Sequence, residues 1–222
     1  HLLATKNKTS TSRVDGHGES SATSMNSEMR TENCATIAKA YLKSSCEFVE
    51  QHLERVLPSE KMSPKTLHKA MRYSIFAGGK RLRPALALAS VEAVGGTRDA
   101  AAAVACAVEM IHTYSLIHDD LPAMDNDDLR RGRPTCHKVF GEAMAILAGD
   151  GLLTYAFEVL TTSPRADSIP SIVRVIARGV GAQGMVGGQV LDIEGEGRPA
   201  TLDSVRAIHA WKTAALITAC CE

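Results

Sequence analysis

Apolar residues along most of the chain recur at three- and four-residue intervals, and the segments with this pattern have the length of helices. The pattern predicts a first helix that Thr31 caps and that ends at Pro58. A second helix begins with Ser63 as its cap and Pro64 at its first position, and Gly78-Gly79 closes it. A helix is predicted for residues 82–94, and the next helix extends from the Thr97 cap to the acidic cluster near residue 119. Three more helices are predicted for residues 141–160, 169–189 and 202–222. No segment alternates convincingly as a strand would, so the predicted fold is all-α, a single helical bundle.

The first 30 residues differ from the rest, because Ser and Thr dominate and little apolar material is present. Such a composition cannot bury a core, so we predict a disordered segment at 1–30 and a helical domain at 31–222. One interpretation of the first segment is the remnant of an organelle transit peptide, a class of sequence that is rich in Ser and Arg and poor in acids. Asp15, Glu19 and Glu28 count against it. The chain starts with His1 rather than Met, and we expect it to be a fragment at that end.

Overall composition excludes several functional classes. The 222 residues carry 25 Lys and Arg against 25 Asp and Glu, so no net charge favours nucleic acid as a partner. No apolar run approaches ~18 residues, and no transmembrane helix is predicted. The six cysteines show neither a Cys-x-x-Cys pair nor regular spacing, so we expect reduced thiols rather than a disulfide framework.

An acidic cluster follows the longest Ala-rich helix. Five aspartates fall within ten positions and two arginines come directly after them, namely Asp119, Asp120, Asp125, Asp127, Asp128, Arg130 and Arg131. Carboxylates suit Mg²⁺, which binds one or two of them and completes its coordination shell with water and phosphate oxygens. A guanidinium group binds phosphate by donating two parallel hydrogen bonds to its oxygens. The alternative is a solvated acidic turn, but an apolar helix that runs into the cluster favours a metal site. Because Pro122 prevents a regular helix from continuing, the chain must turn there, and Asp125 can return towards Asp119.

Two other segments allow more than one interpretation. Gly79-Lys80-Arg81-Leu82-Arg83-Pro84 is either a basic helix junction in water or a phosphate site. His112 lies two helical turns before Asp119 on roughly the same face, which favours a shared site over a core histidine. Residues 179–184 match the Gly-x-Gly-x-x-Gly spacing of dinucleotide-binding proteins, yet no set of parallel strands accompanies them. We therefore predict that these glycines serve close helix packing.

The segment from Asp119 to Asp125, with Leu129-Arg130-Arg131-Gly132 after it, resembles the first aspartate-rich motif of the short-chain trans-prenyl diphosphate synthases. The likeness extends over about residues 67–213. It implies the isoprenoid synthase fold, a helical bundle with a central cavity. It also implies a Mg²⁺-dependent prenyltransferase that joins isopentenyl diphosphate to an allylic diphosphate and makes farnesyl or geranylgeranyl diphosphate. The implied partners are those two substrates and a second subunit, in a homodimer or a heterodimer with a related chain.

The resemblance also assigns roles by position. It makes Asp119, Asp120 and Asp125 the metal ligands, and Asp119, Asp125 and Lys212 the catalytic residues. It assigns isopentenyl diphosphate to Lys80, Arg83, His112 and Arg131, and the allylic diphosphate to Arg130, Lys212 and Thr213. Tyr114 and Ser115 would form the floor that limits product length, and Gln189 and Asp192 would support the site. Glu109, His118 and Asp150 are left with structural roles.

Three questions stay open at this point. A bulky Tyr114 favours a farnesyl (C15) product, whereas a transit segment favours geranylgeranyl (C20) and a plastid rather than the cytoplasm. The family's second aspartate-rich motif lies beyond the Lys-Thr pair, and this chain stops at Glu222 before reaching it. The sequence is thus either a fragment of an enzyme or a non-catalytic subunit of a heteromeric synthase, and five aspartates and two arginines favour the enzyme.

Overall fold

The computed structural model describes residues 19–222, with side chains from residue 33 onward. By compactness the chain divides into His1–Ala40 and Tyr41–Glu222. The helices are α1 (Glu19–Val56), α2 (Lys65–Ile75), α3 (Leu82–Ala93), α4 (Arg98–Asp119), α5 (Cys136–Phe140), α6 (Glu142–Leu160), α7 (Ile169–Val180), α8 (Met185–Gly195), α9 (Leu202–Ile208) and α10 (Ala215–Ala219). A 3₁₀ turn (Ala166–Ser168) precedes α7, and a π-helical segment (His209–Ala214) joins α9 to α10. Within residues 19–222 the strands are β1 (Leu129–Arg130) and β2 (Arg133–Pro134), a short antiparallel hairpin. The predicted all-α fold is confirmed.

Helix α4 forms the centre of the larger unit. It packs mainly against α6 and α3, and every side chain from Ala105 to Ile111 is buried. A helix that is apolar on all sides belongs in a core, and the small alanine side chains let its neighbours approach closely. The buried cluster around α4 includes Leu53, Ile75 and Leu152 from three other helices. The acidic cluster therefore begins where a rigid, buried helix ends.

Two helices differ from the expectation that no segment could span a membrane. By length and composition α4 and α6 are long and apolar enough to cross one. Their most apolar stretches are, however, 61% and 39% buried inside the protein. Buried core helices share this length and composition, so the two helices are weak evidence for a membrane span.

Several predicted boundaries are wrong. Helix α1 begins at Glu19 rather than at a Thr31 cap. The proposed division of the chain at residue 30 stays a prediction, and residues 1–18 lie outside the described residues. Pro64 occupies the N-cap position itself, and α2 begins one residue later than predicted. Helix α5 was not predicted, because five residues are too few to show a period.

The predicted helix over residues 169–189 is two helices, α7 and α8, separated at residues 181–184. The backbone at this break requires a glycine at position 184, since a Cβ there would lie only 2.3 Å from the carbonyl oxygen of Gly179. Gly179 in turn faces α10, where a Cβ would lie 3.0 Å from that of Ala219. The glycines of this segment thus serve close packing, as predicted, and the segment before them is helical rather than a strand.

Candidate active site

The chain turns back on itself directly after α4. Asp119 is the last residue of the helix and Asp120 follows as its C-cap. The backbone N–H of Asp125 then donates to the carbonyl oxygen of Asp119 at 2.9 Å, and that of Asn126 donates to Leu121 at 3.1 Å. The reversal predicted from Pro122 is therefore present, and it returns Asp125 to the end of α4.

The Asp119 carboxylate has little local compensation. Burial raises the pKa of this carboxyl from 3.8 to about 6; Lys212 and Arg130 oppose that rise, while Asp125 and Asp120 add to it. In the described part of the chain no side-chain or backbone donor is hydrogen-bonded to its oxygens. A partly buried Asp119 carboxylate with Asp125 returned beside it fits a divalent cation, because Mg²⁺ needs only one or two protein carboxylates.

Asp120 does not join this pair. Its side chain is buried, and Oδ1 accepts a hydrogen bond from Nε of Arg130 at 2.7 Å and forms an ion pair with Nη2 at 2.6 Å. Arg130 also lies 3.7 Å from Asp127. Accordingly, no group of three or more Asp, Glu, His or Cys side chains among the described residues is placed to hold a metal ion. This pair engages Oδ1 of Asp120 with Nε and Nη2 of Arg130, which leaves the Oδ2 of Asp120 and the Nη1 of Arg130 for other partners.

A cavity of about 480 Å³ opens beside Asp119, between α3, α4, α8 and the π-helical segment. Eight residues that the sequence singled out line it: Arg83, His112, Tyr114, Ser115, Asp119, Gln189, Lys212 and Thr213. The rest of the wall is mainly apolar, with Leu116, Met124, Met185, Val186, Val190 and Ile193. A second cavity of about 580 Å³ between α3 and α7 contains none of the predicted site residues. One space thus combines a carboxylate, cationic groups and an apolar wall.

Arginines surround His112. Burial is the main reason that the pKa of His112 falls to about 3, and the charges of Arg83, Arg131, Arg130 and Arg81 lower it further. The histidine is therefore neutral at physiological pH. Its Nδ1 and the Nε of Arg83 are buried without a hydrogen-bond partner. Unsatisfied buried polar atoms beside several guanidinium groups are typical of a site that an anion completes.

Six predicted residues do not line the cavity, namely Lys80, Asp120, Asp125, Arg130, Arg131 and Asp192. Lys80 is exposed on the loop before α3, and Asp125 is exposed in the turn after α4. Arg131 packs against the Lys80 loop, where a Cβ on Gly79 would lie 2.5 Å from its Nη1. Arg131 also lines a small recess together with Arg130 and Asp120. The structure therefore brings together Asp119, Arg83 and His112, and places Lys80, Asp125 and Arg131 at the margin.

Lys212 and Thr213 lie in the π-helical segment, a form of helix often found at functional sites. The Nζ of Lys212 donates to Oδ2 of Asp192 at 2.5 Å. Gly188 permits this approach, since a Cβ there would lie 2.0 Å from the backbone nitrogen of Lys212. Asp192 and Gln189 thus contribute from α8, one by holding the lysine and the other by lining the cavity.

Comparison with known proteins supplies the context. The family described as Polyprenyl synthetase matches residues 64–222, which is more than half of the chain. The chain belongs to the polyprenyl synthetase family. Its relatives include a farnesyl diphosphate synthase of Geobacillus stearothermophilus, 54% identical over 183 residues that cover 80% of this chain and 61% of the relative. A chloroplastic heterodimeric geranylgeranyl pyrophosphate synthase large subunit 1 of Arabidopsis thaliana is 51% identical, over 81% of this chain and 50% of the relative.

Solved structures agree with this assignment. An FPP/GFPP synthase from Zymomonas mobilis superposes with a TM-score of 0.80 at 39% identity, covering 84% of this chain and 69% of that one. A geranyltransferase from Legionella pneumophila gives 0.79 at 41% identity, covering 84% and 67%. This polyprenyl synthetase chain spans between 50% and 61% of the length of the two curated relatives.

Two features of this family member were not anticipated from its sequence. Arg81 is buried and forms an ion pair with Glu109, which had been given a structural role only. His118 also lines the cavity, with its Nε2 3.0 Å from the carbonyl oxygen of Ile146 and its ring edge-on to Tyr114. The position of Arg81 within the basic motif was the one signal available for the first feature. Nothing local marked the second.

Proposed function

We propose that this chain carries the substrate cavity of a short-chain prenyltransferase. The reaction joins isopentenyl diphosphate to an allylic diphosphate and yields farnesyl or geranylgeranyl diphosphate. The observation that carries the proposal is the single cavity in which Asp119 faces Lys212 and an apolar wall, with Arg83 and His112 lining the same space. Charged groups for two diphosphates and a dry space for an isoprenoid tail are the parts that such a condensation needs.

Asp119 and Asp125 would hold Mg²⁺, which would withdraw charge from the allylic diphosphate as its C–O bond breaks. Lys212, kept in place by Asp192, presents a further positive charge to that leaving group. Arg83, neutral His112, Lys80 and Arg131 would bind the second diphosphate. The double bond of isopentenyl diphosphate then forms the new C–C bond, and a proton is lost. Asp120 would join the metal through its Oδ2, and Arg130 would reach the allylic diphosphate through its Nη1, the atoms that their ion pair leaves free.

The apolar residues of the cavity protect this chemistry. Val186, Val190 and Ile193 follow one face of α8 and line the cavity, as Leu116 does from α4. Such side chains offer no nucleophile and exclude water, which would otherwise capture the allylic cation. Tyr114 and Ser115 line the same space in the turns before Asp119, so they are placed to limit the growing tail.

The finer assignments follow from the relatives. A plastid location is favoured by the chloroplastic relative from Arabidopsis, while the bacterial relative from Geobacillus keeps the cytoplasm open. Because one relative is named a heterodimeric large subunit, we propose a homodimer or a heterodimer with a related chain. Compared with a non-catalytic subunit, a catalytic role is favoured by the under-compensated Asp119 carboxylate, which has no evident structural purpose.

Product formation tests the proposal. The purified protein is incubated with Mg²⁺, labelled isopentenyl diphosphate and each allylic diphosphate in turn, and dephosphorylated products are separated by chromatography. We expect C15 or C20 products from the unmodified protein, a severe loss with Asp119→Asn, and normal activity with Asp128→Asn. Asp128 is a matched control, because it is exposed and pairs with Lys138 at 2.9 Å outside the cavity. Because the chain stops before the family's second aspartate-rich motif, the decisive assay uses a chain that includes that motif, and absence of product from it with every allylic substrate would overturn the assignment.

A further inference from the structure

We infer that the buried ion pair between Glu109 and Arg81 is a positioning element for the cationic site that receives isopentenyl diphosphate. Neither residue lines the substrate cavity, so the pair acts through its neighbours. This inference rests on the proposed function and adds to it a specific role for two residues to which the family resemblance assigned none at the substrate site.

The pair has the geometry of a fixed support. Nη1 of Arg81 lies 2.7 Å from Oε1 of Glu109, and the side chains are only 1% and 3% exposed. Nη2 of Arg81 donates to the carbonyl oxygen of Ile75 at 2.7 Å and approaches Glu50 at 3.3 Å. A single guanidinium thus connects the end of α2, the middle of α4 and α1.

Arg81 also holds an uncommon backbone conformation. Its φ of +47° lies in the left-handed region, which a residue with a Cβ adopts at a cost of about 1 kcal/mol or more. Arg81 is the N-cap of α3, and its carbonyl oxygen accepts the N–H of Ala85 at 3.0 Å. The hydrogen bonds of its side chain hold this conformation. They consequently fix both the start of α3 and the loop before it.

That placement decides where the substrate-binding cations go. Lys80 directly precedes Arg81, and Arg83 lies two residues after it in the first turn of α3. If the Arg81 side chain lost its anchor, the loop and the first helical turn would be free to relax together. Lys80 and Arg83 would then lose their common orientation, although neither touches Glu109 through a hydrogen bond or ion pair.

Glu109 also balances charge. Burial lowers the pKa of Arg83, and Glu109 opposes that effect; burial and the charge of Arg81 lower the pKa of Arg131, and Glu109 again opposes them. The other buried acid nearby, Asp120, is already occupied by Arg130. Arginines stay protonated in proteins, so Glu109 acts by offsetting the repulsion that Arg81 exerts on Arg131 before the diphosphate arrives.

The test is Glu109→Gln, which keeps the shape of the side chain and removes its charge. Coupling within such networks commonly changes affinity by about tenfold, so we expect the KM for isopentenyl diphosphate to rise about tenfold. The KM for the allylic diphosphate and the Mg²⁺ dependence should change less than about twofold. Glu109→Asp, which keeps the charge, should recover part of the loss. Leu160→Ala is the control for general destabilisation, because it removes a fully buried apolar side chain at the end of α6.

The inference would be overturned if Glu109→Gln raised the KM for isopentenyl diphosphate and the KM for the allylic diphosphate equally. It would also be overturned if Leu160→Ala changed the ratio of these two KM values as much as Glu109→Gln does. Should Glu109→Gln fail to fold, Glu50→Gln replaces it, since that side chain is 43% exposed and makes the weaker contact to Arg81. We expect Glu50→Gln to raise the KM for isopentenyl diphosphate about two- to threefold without a matching rise for the allylic diphosphate. An unchanged ratio of the two KM values would contradict the positioning role of the ion pair. Failure of the proposed function has a different signature, since the unmodified protein would then turn over neither substrate.

Discussion

Asp119→Asn is expected to stabilise the metal-free protein at neutral pH while it removes activity. The carboxyl of Asp119 has a pKa of about 6 in the folded chain, raised mainly by burial, against 3.8 for the unperturbed group. Well below pH 3.8 the group is neutral in folded and unfolded chains alike, and burial costs little. Above about pH 6 it is ionised in both, and only the folded chain bears the cost of holding a partly buried charge. The stability of the wild type therefore falls, relative to the variant, as the pH rises from 3.8 to about 6, and the difference is constant above that.

The size of the effect follows from the shift. About two pKa units correspond to about 3 kcal/mol, and screening by solvent around the exposed part of the carboxylate reduces this to about 1–2 kcal/mol. For a domain of this size each kcal/mol moves Tm by about 2–4 °C, so we expect the variant to melt about 2–8 °C higher at neutral pH. Neutral Asn removes the charge but keeps the volume of the side chain.

Thermal unfolding from about pH 3.5 to about pH 8, in a metal chelator, measures this difference. The gap in Tm between variant and wild type should widen as the pH rises from 3.8 to about 6 and then level off. Adding Mg²⁺ should stabilise the wild type by binding and leave the variant almost unchanged. Asp128→Asn should behave as the wild type throughout. A variant that melts lower at every pH, or a gap that does not depend on pH, would refute the reasoning.

Three further changes test the walls and margin of the cavity. Tyr114→Ala should lengthen the products by one or more C5 units, because a tail gains ~0.8 kcal/mol for each CH₂ it buries; chromatography showing unchanged length would place the limit elsewhere. Gly149→Ala should displace His118 from Tyr114, since the new Cβ would lie 2.2 Å from Nε2 of His118. We expect the free energy of unfolding to fall by ~1–3 kcal/mol and the products to become longer, and normal stability would contradict this contact between Gly149 and His118. Lys80→Ala should raise the KM for isopentenyl diphosphate roughly tenfold or more, because a charged contact contributes ~1.5–3 kcal/mol. A change in Mg²⁺ dependence would argue against a role for Lys80 that is separate from the metal site.

How far the sequence predicts this molecule depends on the range of each interaction. Helix α4 was predicted with its Thr97 start and its end at the aspartates, because a long apolar period and a proline are local signals. The separation of α7 from α8 was missed, since it depends on how closely Gly184 approaches the carbonyl of Gly179 in three dimensions.

The site shows the same division. Asp119 and Lys212 share a cavity as the motif order implied, but the capture of Asp120 by Arg130 is a choice of side-chain partner that no spacing reveals. The Arg81–Glu109 pair joins residues 28 positions apart, and only the packing of α3 on α4 brings them together.

The most direct test of the account is a crystal structure of the protein with Mn²⁺ in place of Mg²⁺ and a thiolodiphosphate analogue of the allylic substrate. Anomalous scattering locates the metal without ambiguity. The account predicts a metal peak at the Asp119 and Asp125 carboxylates, the diphosphate within reach of Lys212, and the isoprenoid tail directed towards Tyr114. A metal held by Asp127 and Asp128 at the surface, with the analogue outside this cavity, would contradict it.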